Sequence, residues 1–137
     1  VAATAGQSAA GSKFSFSTGQ VIQELGYDDD VDFDVRDEIE QTTGTELEDE
    51  YFQEVADAVI LWWREEDGDL TDALVDALTL LDDGGDVWIL TPKAGRDGHV
   101  DTHDINDAAM TAGLNPTTTL SAGEDWSALR LAQRRAR

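Results

Sequence analysis

No cysteine occurs in the 137 residues, so disulfides, thiolate catalysis, iron–sulfur clusters and thiol redox sensing have no residue to act through. Positive charge is also scarce. Nine Lys and Arg stand against 30 Asp and Glu, for a formal charge of −21. A chain this acidic lacks the cations that neutralise nucleic-acid phosphates, which disfavours binding to DNA or RNA. It is equally ill suited to an anionic membrane surface. No apolar run approaches the length of a membrane-spanning helix. Residues 1–12 have neither a basic segment nor an apolar core, so they are not expected to act as a secretory signal. These absences lead to the expectation of a cytoplasmic protein. The acid excess itself has two readings: a solubilising, halotolerance-like surface, or a face for a basic partner, including mimicry of nucleic acid.

Apolar residues make up 40% of the chain, enough for the core of one domain. Residues 1–13 are small and polar and read as a disordered tail; residues 133–137, "QRRAR", read as a frayed basic end. A single domain is expected over 14–132. Residues 20–25 fit a short strand stopped by Gly26. Val35 and Ile39 lie four apart with acids ahead of them, which predicts a helix over 32–43 ended by Gly44. Leu47, Tyr51, Phe52 and Val55 form an apolar stripe that predicts a second helix over 46–56. The run from Ala58 to Trp63 is continuously apolar and predicts a strand buried on both faces, with Trp62 and Trp63 on opposite sides.

Asp69 and Asp72 mark a helix start, and Leu70, Leu74, Ala77, Leu78 and Leu81 continue it to a stop at Gly84-Gly85. Val87–Leu90 is a further buried strand, closed by Pro92. Residues 94–100 read as an exposed loop. Residues 102–112 form a helix with Ile105, Ala108, Ala109 and Ala112 inward and Gly113 as its stop. Strands at 117–121 and 126–132 flank a turn and predict an antiparallel hairpin. Strands and helices thus alternate, which specifies a small three-layer α/β domain: a mostly parallel sheet of about five strands ending in an antiparallel hairpin.

The motifs "VWILTPKAGRDGHV", "DINDAAMTAGL" and "EDWSALRL", preceded by "LGYDDDVD" and "AVILWWREEDGDL", resemble the actinobacterial domain-of-unknown-function family 3052. The resemblance spans nearly everything from Phe14 to Leu131. It implies a reduced Rossmann-like domain, similar to the C-terminal half of class I methyltransferases, in which a strand, a helix and a β-hairpin follow one another. It implies no established reaction.

The aspartates of "GYDDDVD" do not fit a calcium loop. Starting at Asp28 places Asp30 and Asp32 at ligand positions, but Phe33 stands where the glycine belongs and Ile39 where the bidentate glutamate belongs. A dinucleotide fold would carry Gly-x-Gly-x-x-Gly at this turn. Here one glycine is followed by carboxylates that would repel a diphosphate, so NAD and ATP are disfavoured. S-adenosylmethionine carries a sulfonium and an amine, to which acid is less hostile, but Tyr27 and Asp28 occupy the place where small residues would make room for it.

A second candidate is the basic loop with Lys93, Arg96 and His99, which follows the C-terminal end of a strand. It reads either as an anion or partner contact or as local neutralisation of nearby aspartates. His99, His103 and a neighbouring carboxylate could in principle hold zinc, but a helix start at Thr102 separates the two histidines. The four tryptophans read as core. Ser127 has no triad context and no nucleophile elbow surrounds it.

No catalytic residue, metal or cofactor is therefore assigned. The expected contact residues are Lys93, Arg96, His99, Tyr27 and Asp28. The expected role is a non-catalytic regulatory or protein-interaction domain with a protein partner, in a setting such as transcription or stress regulation. The alternative is a divergent S-adenosylmethionine-dependent methyltransferase-like enzyme or a small-ligand sensor.

Overall fold

A computed structural model describes residues 14–133; the expected N-terminal tail and residues 134–137 of the expected frayed end lie outside them. The elements are β1 (Ile22–Leu25), α1 (Phe33–Thr43), β2 (Ala56–Trp62), a 3-10 turn (Glu65–Asp67), α2 (Leu70–Leu78), β3 (Leu81–Pro92), α3 (Thr102–Ala112), β4 (Leu114–Ala122) and β5 (Trp126–Gln133). They form one five-stranded sheet in the order β1-β2-β3-β5-β4.

The alternating apolar runs of β2 and β3 put side chains on both faces, and each face has its own core. On one side Ile60, Trp62, Trp88 and Trp126 pack with Val35 and Ile39 of α1. On the other, Val59, Leu61 and Trp63 pack with Leu74 and Ala77 of α2 and with Ile105 and Ala109 of α3. Helices cover both faces, and Trp62 and Trp63 point to opposite layers as their adjacency requires. Among the described residues, no helix is long and apolar enough to cross a membrane.

The sheet is mixed rather than mostly parallel. β1–β2 and β2–β3 are parallel; β3–β5 and β5–β4 are antiparallel. The cause is the tight turn after Ala122, which forces β5 to run back along β4. β5 then inserts between β3 and β4, so the hairpin supplies two antiparallel pairings instead of a single appended strand.

The stripe at 46–56 does not form a helix. β1 has β2 on one side only, which leaves backbone groups open on its other edge. The 46–56 segment covers that edge in extended form: Glu24 N–H donates to the Glu48 carbonyl at 2.7 Å, and Glu48 N–H donates to the Ile22 carbonyl at 2.9 Å. The Gln23 amide also donates to the Asp49 and Phe52 carbonyls. Leu47 still packs on the α1 core, whereas Tyr51 and Val55 are exposed. Satisfying the edge outweighed the amphipathic pattern.

α2 stops at Leu78 rather than running to Gly84-Gly85. Leu81 already pairs with Ala56 in the sheet, and the next pair is Ala58 with Asp86. Residues 82–85 are a bulge within β3, turned by Gly84 at φ 83°. At the other end, Gln133 pairs with Leu114 and belongs to β5.

Gly26 closes β1 at φ 78°, and a Cβ there would lie 2.2 Å from the Trp62 carbonyl oxygen. Gly44 caps α1 at φ 76° with nothing within 4 Å of an added Cβ. Gly44→Ala therefore adds only left-handed strain, about 1–2 kcal/mol, while Gly26→Ala adds a backbone collision to it. Urea unfolding is expected to show the larger loss for Gly26→Ala; equal losses would contradict this packing of β1 on β2.

Candidate functional site

In open α/β sheets, ligands bind beyond the carboxyl ends of the strands. In this chain the β1–α1 turn, the segment after β2, the loop after β3 and the β4–β5 hairpin meet at that edge, and the side chain of Arg64 lies among them. Arg64 follows the last residues of the apolar run of β2 and is 8% exposed. Its Nη1 donates to the Gly26 carbonyl at 2.8 Å and to the Trp62 carbonyl at 3.2 Å. Its Nε donates to Asp30 Oδ2 at 3.0 Å, and its Nη2 donates to Asp30 Oδ1, which makes a bidentate pair. Asp67 accepts a further bond from Nη1 and one from the Arg64 backbone. The guanidinium lies 5.3 Å from the centre of the Trp126 ring. Gly98 packs on its aliphatic stem, and a Cβ at 98 would be 3.1 Å from Arg64 Cβ.

The aspartates after Gly26 thereby acquire separate structural tasks. Asp28 accepts from the Asp29 N–H. Asp30 pairs with Arg64, and its backbone carbonyl accepts from Trp126 Nε1 at 3.2 Å. Asp32 caps α1 by accepting from the Val35 N–H at 3.0 Å. The hydrogen bonds from Arg64 hold the Asp30 carboxyl below its usual titration range, against a smaller opposing effect of burial. For Arg64, burial works against the charged form, but the bonds and charges of Asp30 and Asp67 prevail and raise it above its ordinary value.

A second charged cluster lies on the α1 side. Glu24, inside β1 and 5% exposed, accepts from Arg36 Nε at 2.7 Å, from Arg36 Nη2 at 2.9 Å and from Trp62 Nε1 at 2.9 Å. Hydrogen bonding to Glu24 raises Arg36 above its ordinary value despite partial burial. The Arg36 guanidinium lies 5.0 Å from the centre of the Tyr27 ring and 5.8 Å from that of Phe33, and the two rings meet edge to face.

Tyr27 and Asp28 line a cleft of about 560 Å³ between the end of β1, the covering segment near Glu50, and α2. Leu25, Trp63, Ala73 and Leu80 form apolar wall; Asp28, Glu50, Asp67 and Asp76 supply carboxylates.

The basic loop does not line this cleft; it packs on Arg64 through Gly98 and lies against the hairpin. Lys93 Nζ donates to the Gly123 carbonyl at 3.1 Å, and Arg96 pairs with Asp125 at 2.7 Å in an exposed ion pair. His99 Nδ1 lies 2.8 Å from the Pro92 carbonyl. Of the five expected contact residues, the structure groups Tyr27 with Asp28 and groups Lys93, Arg96 and His99 separately. Asp101 caps α3 through the His103 N–H. Among the described residues, no group of three or more His, Asp or Glu could hold a metal ion.

Sequence reasoning passed over Arg64, Asp30, Glu24 and Arg36 as a linked set. A signal existed: Arg64 is the sole cation between Arg36 and Lys93 and directly follows a long apolar run. Glu24 is likewise an acid inside an apolar strand.

Comparison with known proteins identifies the family. A family model described as "Protein of unknown function (DUF3052)" matches residues 11–135, and the chain belongs to that family. An uncharacterised protein of Mycobacterium tuberculosis (strain H37Rv) is 49% identical over 125 residues, 91% of this chain and 78% of that protein. Among solved structures, the CcbJ methyltransferase from Streptomyces caelestis is similar with a TM-score of 0.66 at 11% identity, over 95% of this chain and 90% of that one. The magnesium protoporphyrin IX methyltransferase of Synechocystis PCC 6803 with bound SAM gives a TM-score of 0.57 at 10% identity, over 93% and 79% of the two chains. The likeness at these identities is one of fold: α/β, Rossmann-like and methyltransferase-like.

Arg64→Met is expected to lower stability by about 2–4 kcal/mol, because the Gly26 and Trp62 carbonyls lose a buried donor. Asp30→Asn is expected to cost less, since Asp30 is half exposed. Because the Asp30 carboxyl is depressed in the folded state, its stabilisation is present above the ordinary carboxylate range and is lost as pH falls through the depressed value. Thermal unfolding across pH should show the gap between the parent and Asp30→Asn closing in acid. A gap that widens in acid would contradict the pairing.

Proposed function

We propose that this chain is a non-catalytic regulatory or protein-interaction domain, built on a methyltransferase-like fold whose cofactor turn has become a structural clamp. The observation that carries this reading is the turn after β1. The carbonyl of its single glycine accepts from the Arg64 guanidinium, and its third aspartate is bound bidentately to the same group. A phosphate or carboxylate ligand at such a turn needs free backbone N–H groups and no competing anions. Here Asp28 already receives the Asp29 N–H, and carboxylates face outward. Every Lys and Arg among the described residues is likewise engaged with a carboxylate or carbonyl of the chain itself. Among the described residues this leaves an outer surface dominated by acid, suited to a protein partner that presents basic groups.

The cleft beside Tyr27 supports a second reading, a small-ligand sensor or divergent methyltransferase-like enzyme. Its volume of about 560 Å³ lies in the range of ordinary ligand sites. Calorimetric titration with S-adenosylmethionine and S-adenosylhomocysteine separates the two. The first reading expects no saturable heat at micromolar concentrations. Micromolar binding that disappears in Asp28→Ala would overturn it in favour of the second.

A further inference from the structure

We infer that the cleft between β1 and α2 is a binding site for a small organic cation with an apolar body. The inference rests on the second reading above, that this cleft takes a small ligand, and names the chemistry of that ligand.

The position comes first. The cleft opens at the carboxyl ends of β1 and β2, on the α2 face of the sheet, where the fold class places its ligands. Its wall is supplied by Leu25 and Trp63 from the sheet side and by Ala73 and Leu80 from α2 and the segment after it. A wall of this kind removes apolar ligand surface from water, which is the main source of affinity in small-molecule sites.

Charge then selects the ligand. Asp28, Glu50, Asp67 and Asp76 border the cleft, against Arg64 as the sole cation in its lining. Arg64 does not offer itself to an incoming anion. Its guanidinium is held by Asp30, Asp67 and the Gly26 and Trp62 carbonyls. Asp67 is in turn engaged by Arg64. Asp28, Glu50 and Asp76 have no ion-pair partner among the described residues. Their carboxylates come from the β1–α1 turn, the edge-covering segment and α2, so they approach the opening from separate elements. An ammonium or other onium group placed at the rim is bordered by these carboxylates while its carbon body lies against Trp63 and Leu80. A neutral isostere gains only the second contribution, and an anion is repelled.

Matched probes test this directly. ¹⁵N-labelled protein is titrated with 2-phenylethylamine, which is cationic at neutral pH, with the neutral 2-phenylethanol and with anionic phenylacetate. Amide shifts are expected to saturate at Gly26, Ala73, Asp76 and Leu80 and at the Trp63 indole for the amine. The alcohol should bind about five- to tenfold more weakly, the worth of about one charge-assisted contact, and phenylacetate should not bind. The paired exposed substitutions Glu50→Gln and Asp76→Asn should weaken the amine about fivefold or more without changing the melting temperature. Asp34→Asn with Asp37→Asn, remote from the cleft, should leave it unchanged. Equal affinity for amine and alcohol would overturn the inference. So would shifts spread over the acidic surface without saturation, or equal weakening by the remote pair.

Discussion

The guanidinium of Arg64 ties together segments that the chain keeps far apart. It bonds the carbonyl that ends β1, the carbonyl that ends β2, and Asp30 and Asp67. It also stacks against Trp126 in the hairpin, whose indole donates to Asp30 across 96 residues of sequence. An arginine suits this task better than a lysine, because its planar fork can satisfy a carboxylate bidentately while a third edge reaches carbonyls. Gly26 belongs to the same arrangement, since only a residue without Cβ can sit so close to the Trp62 carbonyl. The carboxyl edge of the sheet is thus organised from within, at the place where related folds organise themselves around a ligand.

Net charge makes that internal use of cations a functional matter. With −21 charges overall, each cation placed inward removes one from the surface. Arg36 is bonded to buried Glu24, and Arg130 of β5 pairs with Asp86 of the neighbouring β3 at 2.6 Å. Lys93 and Arg96 fasten the loop after β3 to the hairpin turn. In the basic loop that stands out in the sequence, two of the three expected contact residues thus bond to the hairpin turn. What faces solvent around the cleft is carboxylate, and this is why the recognition argued for the domain is recognition of positive groups.

Much of the fold could be read from the chain. Continuous apolar runs marked β2 and the centre of β3, early acids with Gly44 marked α1, Asp69 marked the start of α2, and an apolar face with Gly113 marked α3, because these signals are local. The readings that failed were non-local. The stripe at 46–56 has a helical period, but the open edge of β1 claimed its backbone. Leu81 fits the apolar face of α2, but it is drawn into the sheet opposite Ala56. The mixed character of the sheet depends on where β5 inserts, and turn chemistry alone does not specify that. The same limit applies to the site. Asp28 and Tyr27 could be singled out at the turn after β1 from the sequence, whereas the pairing of Asp30 with Arg64, 34 positions later, appears only once β1 and β2 lie side by side.

The claim that the turn after β1 is closed by Arg64 rather than held open for a cofactor has a direct measurement in solution. Nitrogen-15 NMR of the arginine side chains reports rotation about the Cζ–Nε bond and exchange of the Nε proton. The account predicts a slowly exchanging Nε–H and separately resolved terminal nitrogens for Arg64, unchanged by excess S-adenosylmethionine, with exposed Arg96 in the same spectrum showing fast exchange. An Arg64 signal as averaged as that of Arg96, or one released on adding S-adenosylmethionine, would contradict it.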